Sequence, residues 1–538
     1  MNQGPFGLGS QKETLFVRYA TGLTRDLSGF DALIGNLASM GVMAPIFIMY
    51  FASLLYPGVN LPLTVLVALP TSFVMAAVYY LLTMSMPRTG ADYVWVSRII
   101  HPSLGLITSL FVTFGLIGFI TVVIGTIPAY GIGPMLAGLG QISSNENWVN
   151  QASAISVAPA GFELTLIILV IVIIPAFLGT RTLFRTLWVM FIVAAVSAVV
   201  MTLAFFSAPQ STFIGNFNSL SGMNYQNVIT KAALPAGFNF QYTLYGSVFT
   251  ILNFVGYNNS AYYTGEVKQV KRSQLLAMFG AVLIFALFLA IQYTSVYYSM
   301  GSDFYNALSA LAGSSNPAYT LPVAPVLTIL VAYATPNAYV ISFVGLGFIL
   351  TQIAFSLIAV FIVERNFFSW SFDRLLPNGF TRLDSRGTPY VTTIAIFLIS
   401  VLFAVLYWYT TLFAYFLYSS LLSSVAFAIT SLAAIIFPYT RKGIFESSPE
   451  LVKRCIGGVP IITALGIVGL ILEVFISYAT VLPGVTPPPS GPPIVQLLSY
   501  AFVPIVAVIG AVIYGAAYLY RKSQGLDLGL LFMQVPPE

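Results

Sequence analysis

The sequence predicts an all-α polytopic membrane protein with twelve transmembrane helices, on three observations. Of 538 residues, 58% are hydrophobic and only 7% charged, where a soluble domain carries about 25% charged residues. Twelve apolar runs come close to the ~20 residues that cross a bilayer. Lys and Arg alternate with those runs. With the N-terminus inside, all of the 21 basic residues except Lys231 fall in inner segments, as they do in cytoplasmic loops. Both termini are therefore expected in the cytoplasm of a cell-membrane protein.

The first 28 residues are polar, carry Lys12, Arg18 and Arg25, and contain no cleavable apolar core. Spans are expected at about 29–56, 61–86, 103–131, 161–179, 187–207 and 241–264, then at 274–299, 338–364, 390–408, 410–437, 459–481 and 496–520. Only a short turn near Thr410 separates the ninth from the tenth. The outer connections, 136–160, 209–240, 300–337 and 482–495, are rich in Ser, Asn, Gly and Pro. The longer ones should hold short helices, since long structureless loops are uncommon in compact proteins. The stretch Pro483–Pro493 reads as an extended linker.

Composition excludes several function classes. Cys455 is the only cysteine and His101 the only histidine, so disulfides, thiolate clusters, zinc hydrolysis and triad chemistry have no residues to use. No enzyme is expected. His101 reads as structural. The net charge of +5 belongs to the loops and does not point to nucleic acid. An aqueous pore would show rings of charge or repeated filter segments, and neither is visible.

Two apolar spans carry internal interruptions. In the first, Gly35 and Gly41 bracket Asn36 and Ser39; in the sixth, Asn253, Gly256, Asn258, Asn259 and Ser260 break the run. Unpaired backbone groups in lipid cost several kcal/mol, so a break is tolerated only where it faces protein or a water-filled cavity. An unwound turn offers N–H groups to an anion and C=O groups to a cation, and a zwitterion such as an amino acid satisfies both. Glycine kinks also serve plain helix packing. Two breaks at the starts of two five-span halves, however, point to a transporter's substrate site.

Four stretches carry a family resemblance. Phe249–Arg272 ends in Glu266, Val267, Lys268 and Arg272 after a break at Gly256, like a sixth-helix signature of F-x-F-x-G followed by Glu-Val-Lys-x-x-x-Arg. Met86–Gly105 is similar to a Pro-x-Ser-Gly-Gly-x-Tyr segment. Arg365–Tyr390 resembles a loop with Arg-Asp-Gly-Leu-Leu-Pro and Gly-Thr-Pro elements. Ser39-Met40-Gly41 lies where Gly-Ser-Gly is found. On these residues the chain resembles the amino acid–polyamine–organocation permease superfamily, amino acid permease type, over nearly its whole length.

The resemblance implies a five-plus-five inverted-repeat core of the leucine-transporter type with discontinuous helices 1 and 6. The core would span 29–437, as repeats of about 29–207 and 241–437. Residues 1–28 would precede it, 438–520 would hold a loop and accessory helices 11 and 12, and 521–538 would form a tail. The resemblance also implies alternating access around a midplane site. Amides of Ser39, Met40 and Gly41 would hold a substrate carboxylate. Carbonyls of Asn36, Leu37, Leu252 and Asn253 would take an amino group, with Phe254 and Tyr257 shaping the pocket beside Gly256. The chain departs from the pattern at Ser39 for the first glycine, at Leu252 for the first aromatic, and at Asn258 where a Glu is common. The fifth span, Leu187–Ser207, lacks the Lys of several proton-coupled relatives.

Coupling to sodium, to a proton, or to neither stays open at this stage. Thr351, Gln352, Ser356 and Asn258 are the candidate oxygen ligands for sodium, although hydroxyls in membrane helices often bond their own backbone. No cofactor is expected. Glu473 reads as a protonated or locally bonded structural group on a peripheral helix, and Asp31 as a helix N-terminal charge. Glu364-Arg365 and Asp373-Arg374 read as solvated loop charges. The function expected is a secondary transporter of an amino acid or related amine, a monomer or homodimer in the lipid bilayer. The alternatives are a transporter of a nucleobase or osmolyte on the same fold, or a membrane sensor that binds with little transport.

Overall fold

The computed structural model describes residues 25–235, 237–314, 316–381, 388–410, 416–481, 493–526 and 528–533. The first apolar run forms α1 (Gly29–Met40) and α2 (Pro45–Leu55), the second α3 (Leu61–Ser85) followed by the short α4 (Asp92–Ile99). Next come α5 (Pro102–Thr126), a π turn (Ile127–Ile132) and α6 (Gly133–Ser143), then α7 (Glu146–Ile155), α8 (Ala160–Ala176) and α9 (Thr180–Ser207). A connection holding α10 (Gln210–Leu220) and α11 (Tyr225–Ala232) leads to α12 (Phe240–Phe254), a 3-10 helix (Asn259–Glu266), α13 (Val270–Leu275), a second π turn (Leu276–Gly280) and α14 (Ala281–Met300). Then follow α15 (Ser302–Gly313), α16 (Leu327–Ala334), α17 (Ala338–Phe372), α18 (Tyr390–Tyr409) and α19 (Phe416–Thr440). After α20 (Lys442–Ser447) and α21 (Glu450–Lys453), the strands Cys455–Ile456 and Val459–Pro460 pair as a hairpin over Gly457-Gly458, before α22 (Ile461–Val481), α23 (Pro493–Ser523) and α24 (Leu528–Leu531).

The protein is thus an all-α polytopic membrane protein apart from that small hairpin. Among the described residues, ten helices are long and apolar enough to cross a membrane, or eleven if α7 and α8, bent by 73°, count as one span. The difference from the twelve runs has two sources. The fourth run is a helix of only 17 residues, and the sixth is divided between α12 and the 3-10 segment. The long connections contain the short helices α7, α10, α11, α15 and α16, as their length required. The turn after Thr410 and most of Pro483–Pro493 lie outside the described residues.

Local sequence explains the helix starts. Ser28 and Asp31 form a capping box on α1: Asp31 Oδ2 accepts the Ser28 N–H at 2.8 Å and Ser28 Oγ accepts the Asp31 N–H at 3.2 Å. Asp31 also accepts the Trp188 indole N–H at 2.8 Å, fixing α1 to α9. Pro45 occupies the first turn of α2, where its missing N–H costs nothing. His101 is a cap, its Nδ1 accepting the Ser103 N–H at 3.2 Å.

Burial separates enclosed from lipid-facing elements. In the span Gly29–Leu55, 89% of the most apolar window is buried, against 17% in Ala501–Ser523. The first span is therefore the axis of the bundle, wrapped by α9, α14 and α17. On the other flank α22 lies tightly on α19 and α3. A Cβ at Gly466 would stand 2.9 Å from the Ser431 carbonyl oxygen, and one at Gly469 would stand 3.0 Å from Met75 Sδ. Small residues at this spacing let membrane helices approach closely.

Candidate functional site

The two breaks meet. α1 ends at Gly41, whose φ of 74° is left-handed, and the chain turns through Val42–Ala44 before Pro45 restarts the helix. The interruption therefore follows Met40, and Gly35–Met40 are helical, which corrects the expected position by one to two turns. α12 ends at Phe254, and Gly256 has a φ of 129°. A Cβ at Gly256 would stand 2.7 Å from Ser39 Cβ and 3.1 Å from the Met40 nitrogen. Glycine is required at this position twice over, for its backbone angle and for the contact.

Asn36 locks the two breaks together. Its Nδ2 donates to the Tyr257 carbonyl, to Ser260 Oγ (3.1 Å) and to the Ala277 carbonyl (2.9 Å), while its Oδ1 accepts the Ser260 N–H (2.8 Å). Gln274 extends the network, its Nε2 donating to the Ser260 carbonyl and to Thr264 Oγ1, each at 3.0 Å. Asn36 is fully buried, and leaving any one of these groups unpaired costs about 1–3 kcal/mol.

Between the breaks lies a cavity of about 50 Å³, room for a few waters at roughly 10–15 Å³ each. Ser39, Met40, Gly41, Leu252, Asn253 and Gln352, all candidates from the sequence, line it. Phe119 and Val123 of α5 and Phe355 of α17 complete the wall, with Ala44, Phe47 and Ile48 from the start of the second half-helix. These aromatic and aliphatic residues carry no sequence signal, because an apolar side chain facing a cavity reads like one facing lipid. Asn253 Nδ2 has no hydrogen-bond partner, so a buried donor is left on the cavity wall.

The remaining candidates stand elsewhere. Leu37 is buried in α1, and its carbonyl accepts the Gly41 N–H at 3.1 Å. Phe254 packs edge-on against Phe285, ring centroids 5.2 Å apart. Tyr257 is buried and gives its carbonyl to Asn36. The Ser39 and Met40 amides lie in the last turn of α1. Among the described residues, the amides of Val42 and Met43 make no backbone hydrogen bond. The Leu252 carbonyl accepts the Val255 N–H at 3.1 Å, but a carbonyl has a second lone pair to offer.

Two of the four sodium candidates are hydrogen-bonded within the protein. Ser356 Oγ donates to the Gln352 carbonyl at 2.8 Å, and Gln352 Nε2 donates to Thr126 Oγ1 at 2.8 Å. Thr351 Oγ1 and Asn258 Oδ1 are buried without a partner. Thr351 lies against Gly41, its Cγ2 3.5 Å from where a Cβ would be.

Aromatic rings and ion pairs flank the cavity. Beyond Phe47 come Tyr130, stacked on it at 6.3 Å, and Phe348, edge-on at 6.1 Å. On the other side Gly35 makes room for the Tyr263 hydroxyl, and Tyr263 packs against Phe361 at 5.3 Å. Arg365 lies 3.7 Å over the Phe361 ring and grips Glu266 with two bonds, Nε–Oε1 at 2.7 Å and Nη2–Oε2 at 3.0 Å. Its Nη1 meets Glu364 Oε2 at 3.2 Å. A second pair joins Arg98 to Asp373 at 2.7 Å, with Tyr93 donating to the same carboxylate. Glu364, Arg365 and Asp373 are buried, so the expectation of solvated loop charges is wrong for them. α17 runs on past its apolar stretch and carries these charges inside. Arg374 alone of the four is exposed.

Comparison with known proteins agrees with this architecture. A family model described as amino acid permease matches residues 32–511. No curated protein matches the chain.

Proposed function

We propose, from the premise that this chain belongs to the amino acid permease family, that it is a secondary transporter carrying an amino acid or a related amine across the cell membrane by alternating access. The observation that carries this reading is the contact of Gly256 with Ser39 and Met40 beside a cavity bearing an unpartnered amide donor. Substrate enters between the two breaks. Its carboxylate turns to N–H groups at the restart of the first span, and its amino group to carbonyls at the ends of α1 and α12, as the half-helix dipoles favour. Asn253 holds the polar end, and Phe119 and Phe355 enclose the side chain.

The twelve apolar runs are twelve crossings. The first ten form two inverted repeats, and both termini are cytoplasmic. Phe47, Tyr130 and Phe348 close the outer side, and the Arg365 and Arg98 ion pairs close the inner side. The transport cycle breaks and remakes these closures alternately. No covalent step is involved.

The test is uptake by the full chain in proteoliposomes, using radiolabelled L-amino acids and polyamines in separate assays, each with and without internal substrate. Saturable uptake of at least one of them, faster when the same compound is inside, is expected. Flux of none of them, or saturable flux of a nucleobase instead, would contradict the assignment.

A further inference from the structure

Arg374 stands where its backbone favours glycine. α17 stops at Phe372, and Arg374 follows with a φ of 62°, a left-handed conformation that glycine adopts freely and other residues resist. The motif that this stretch resembles has a glycine there: Asp-Gly-Leu-Leu-Pro reads Asp373-Arg374-Leu375-Leu376-Pro377 in this chain. The turn is closed by backbone alone, the Arg374 N–H donating to the Ser371 carbonyl and the Leu375 N–H to the Trp370 carbonyl, each at 2.9 Å. It has no need of an arginine side chain. Arg374 is exposed, and among the described residues its guanidinium has no ion-pair or hydrogen-bond partner.

That guanidinium opens onto a cleft of about 580 Å³ between the turn and the last helical turns of α23. Leu375, Leu376, Ile513, Ala516 and Ala517 form apolar walls, and Arg374 and Arg521 both line it. Arg521 is drawn to the same place: its Nε donates to the Arg374 carbonyl and its Nη1 to Gln524, each at 3.1 Å. Its Nη2 has no partner among the described residues. No lining residue is acidic, and the nearest carboxylate in sequence, Asp373, is buried and paired with Arg98 at 2.7 Å. Two positive charges therefore share one cleft without an anion between them. A cation suits a helix C-terminus, which accounts for Arg521 but not for a side chain on the left-handed backbone of Arg374.

We propose that this cleft binds an anionic phospholipid, with Arg374 and Arg521 clasping the headgroup phosphate and the apolar walls receiving the start of an acyl chain. Guanidinium groups take phosphate oxygens with paired hydrogen bonds, and basic pockets between membrane helices hold anionic headgroups. The walls favour a lipid over a free anion. From Ile513 to Arg521 the cleft runs roughly 12 Å along α23, apolar at depth and charged at its mouth. α23 is also the span most open to lipid, with 17% of its apolar window buried. Tyr520, 59% exposed beside Arg521, is an aromatic of the kind that settles at headgroup level. The site requires only that the chain spans a membrane, and it stands whatever the chain transports.

The test is native mass spectrometry of the full chain, stripped of lipid in detergent and titrated with phosphatidylglycerol or with phosphatidylcholine of the same acyl chains. Wild type is expected to bind its first phosphatidylglycerol more tightly than any phosphatidylcholine. Arg374→Gly is expected to weaken that first lipid about fivefold, and Arg521→Gln added to it about fivefold again, the loss that one basic residue brings at an anionic lipid surface. Phosphatidylcholine binding should not change. Glycine suits the left-handed backbone, so Arg374→Gly keeps the fold, and it alone decides should the double variant fail to fold. Equal affinity for the two lipids overturns the site, as does wild-type binding of phosphatidylglycerol by Arg374→Gly. Displacement of the lipid by an equal concentration of inorganic phosphate would make this a free-anion site and overturn the lipid. Dimers that the arginine variants abolish would make the cleft a contact between copies, with the same consequence.

Discussion

Replacing Gly256 by leucine is expected to abolish uptake while leaving a folded, extractable protein. The backbone there has a φ of 129°, which costs a residue with a side chain about 1–3 kcal/mol. The new Cβ would also stand 2.7 Å from Ser39 Cβ and 2.9 Å from the Ser39 carbonyl carbon. Overpacking of that kind costs roughly 1–3 kcal/mol more, taken up by shifts of backbone and side chains. The element free to shift is the end of α1 against the break, which is the proposed site. Gly256→Ala introduces the same Cβ with nothing beyond it, so a smaller loss is expected. Uptake by both variants is compared with their melting temperatures in detergent; wild-type uptake by Gly256→Leu sinks the placement of the site.

Arg365→Ala is expected to destabilise the protein by about 3–5 kcal/mol, because removing one partner leaves the others charged and buried. Glu266 and Glu364 would face each other without the guanidinium between them, and Thr180 would lose the Nη2 donor at 3.1 Å. Arg365→Lys is not a rescue. An ammonium cannot make the two-bond grip on Glu266 while also reaching Glu364. The measurement is thermal unfolding in detergent micelles, and a melting temperature within experimental error of wild type for Arg365→Ala would contradict the account of this network.

Much of the architecture was legible in the sequence because lipid imposes one rule everywhere. A span must satisfy its own backbone and present apolar side chains, and among the described residues ten of the twelve runs hold a helix long and apolar enough to cross a membrane. Gly256 was legible for the same reason. The break in the first span was displaced because Gly35 and Asn36 have tertiary purposes that look like local ones. Gly35 leaves room for the Tyr263 hydroxyl, and Asn36 spends its polarity on Tyr257, Ser260 and Ala277, all more than 220 residues away. The local sign of the true break was Pro45, a first-turn proline shortly after Gly41.

Charge was misread where a helix outran its apolar stretch. Glu364-Arg365 reads as the start of a loop, yet α17 continues to Phe372 and the partner of Arg365 is 99 residues distant. Glu473, read as a protonated or locally bonded structural group, is indeed buried in α22. The small residues Gly466 and Gly469 on the same face were the available sign that α22 packs inward.

The central claim, that substrate binds between the two breaks, is tested most directly by protection of Ser39. Cys455 is exposed and is the only cysteine, so Cys455→Ser gives a background in which Ser39→Cys is the sole thiol. A small membrane-permeant thiol reagent is then applied to proteoliposomes with and without an amino acid that this variant transports. The account predicts that the amino acid slows labelling at Ser39→Cys in proportion to its occupancy of the carrier. Labelling at one rate regardless of amino acid, in protein that still takes it up, would contradict it.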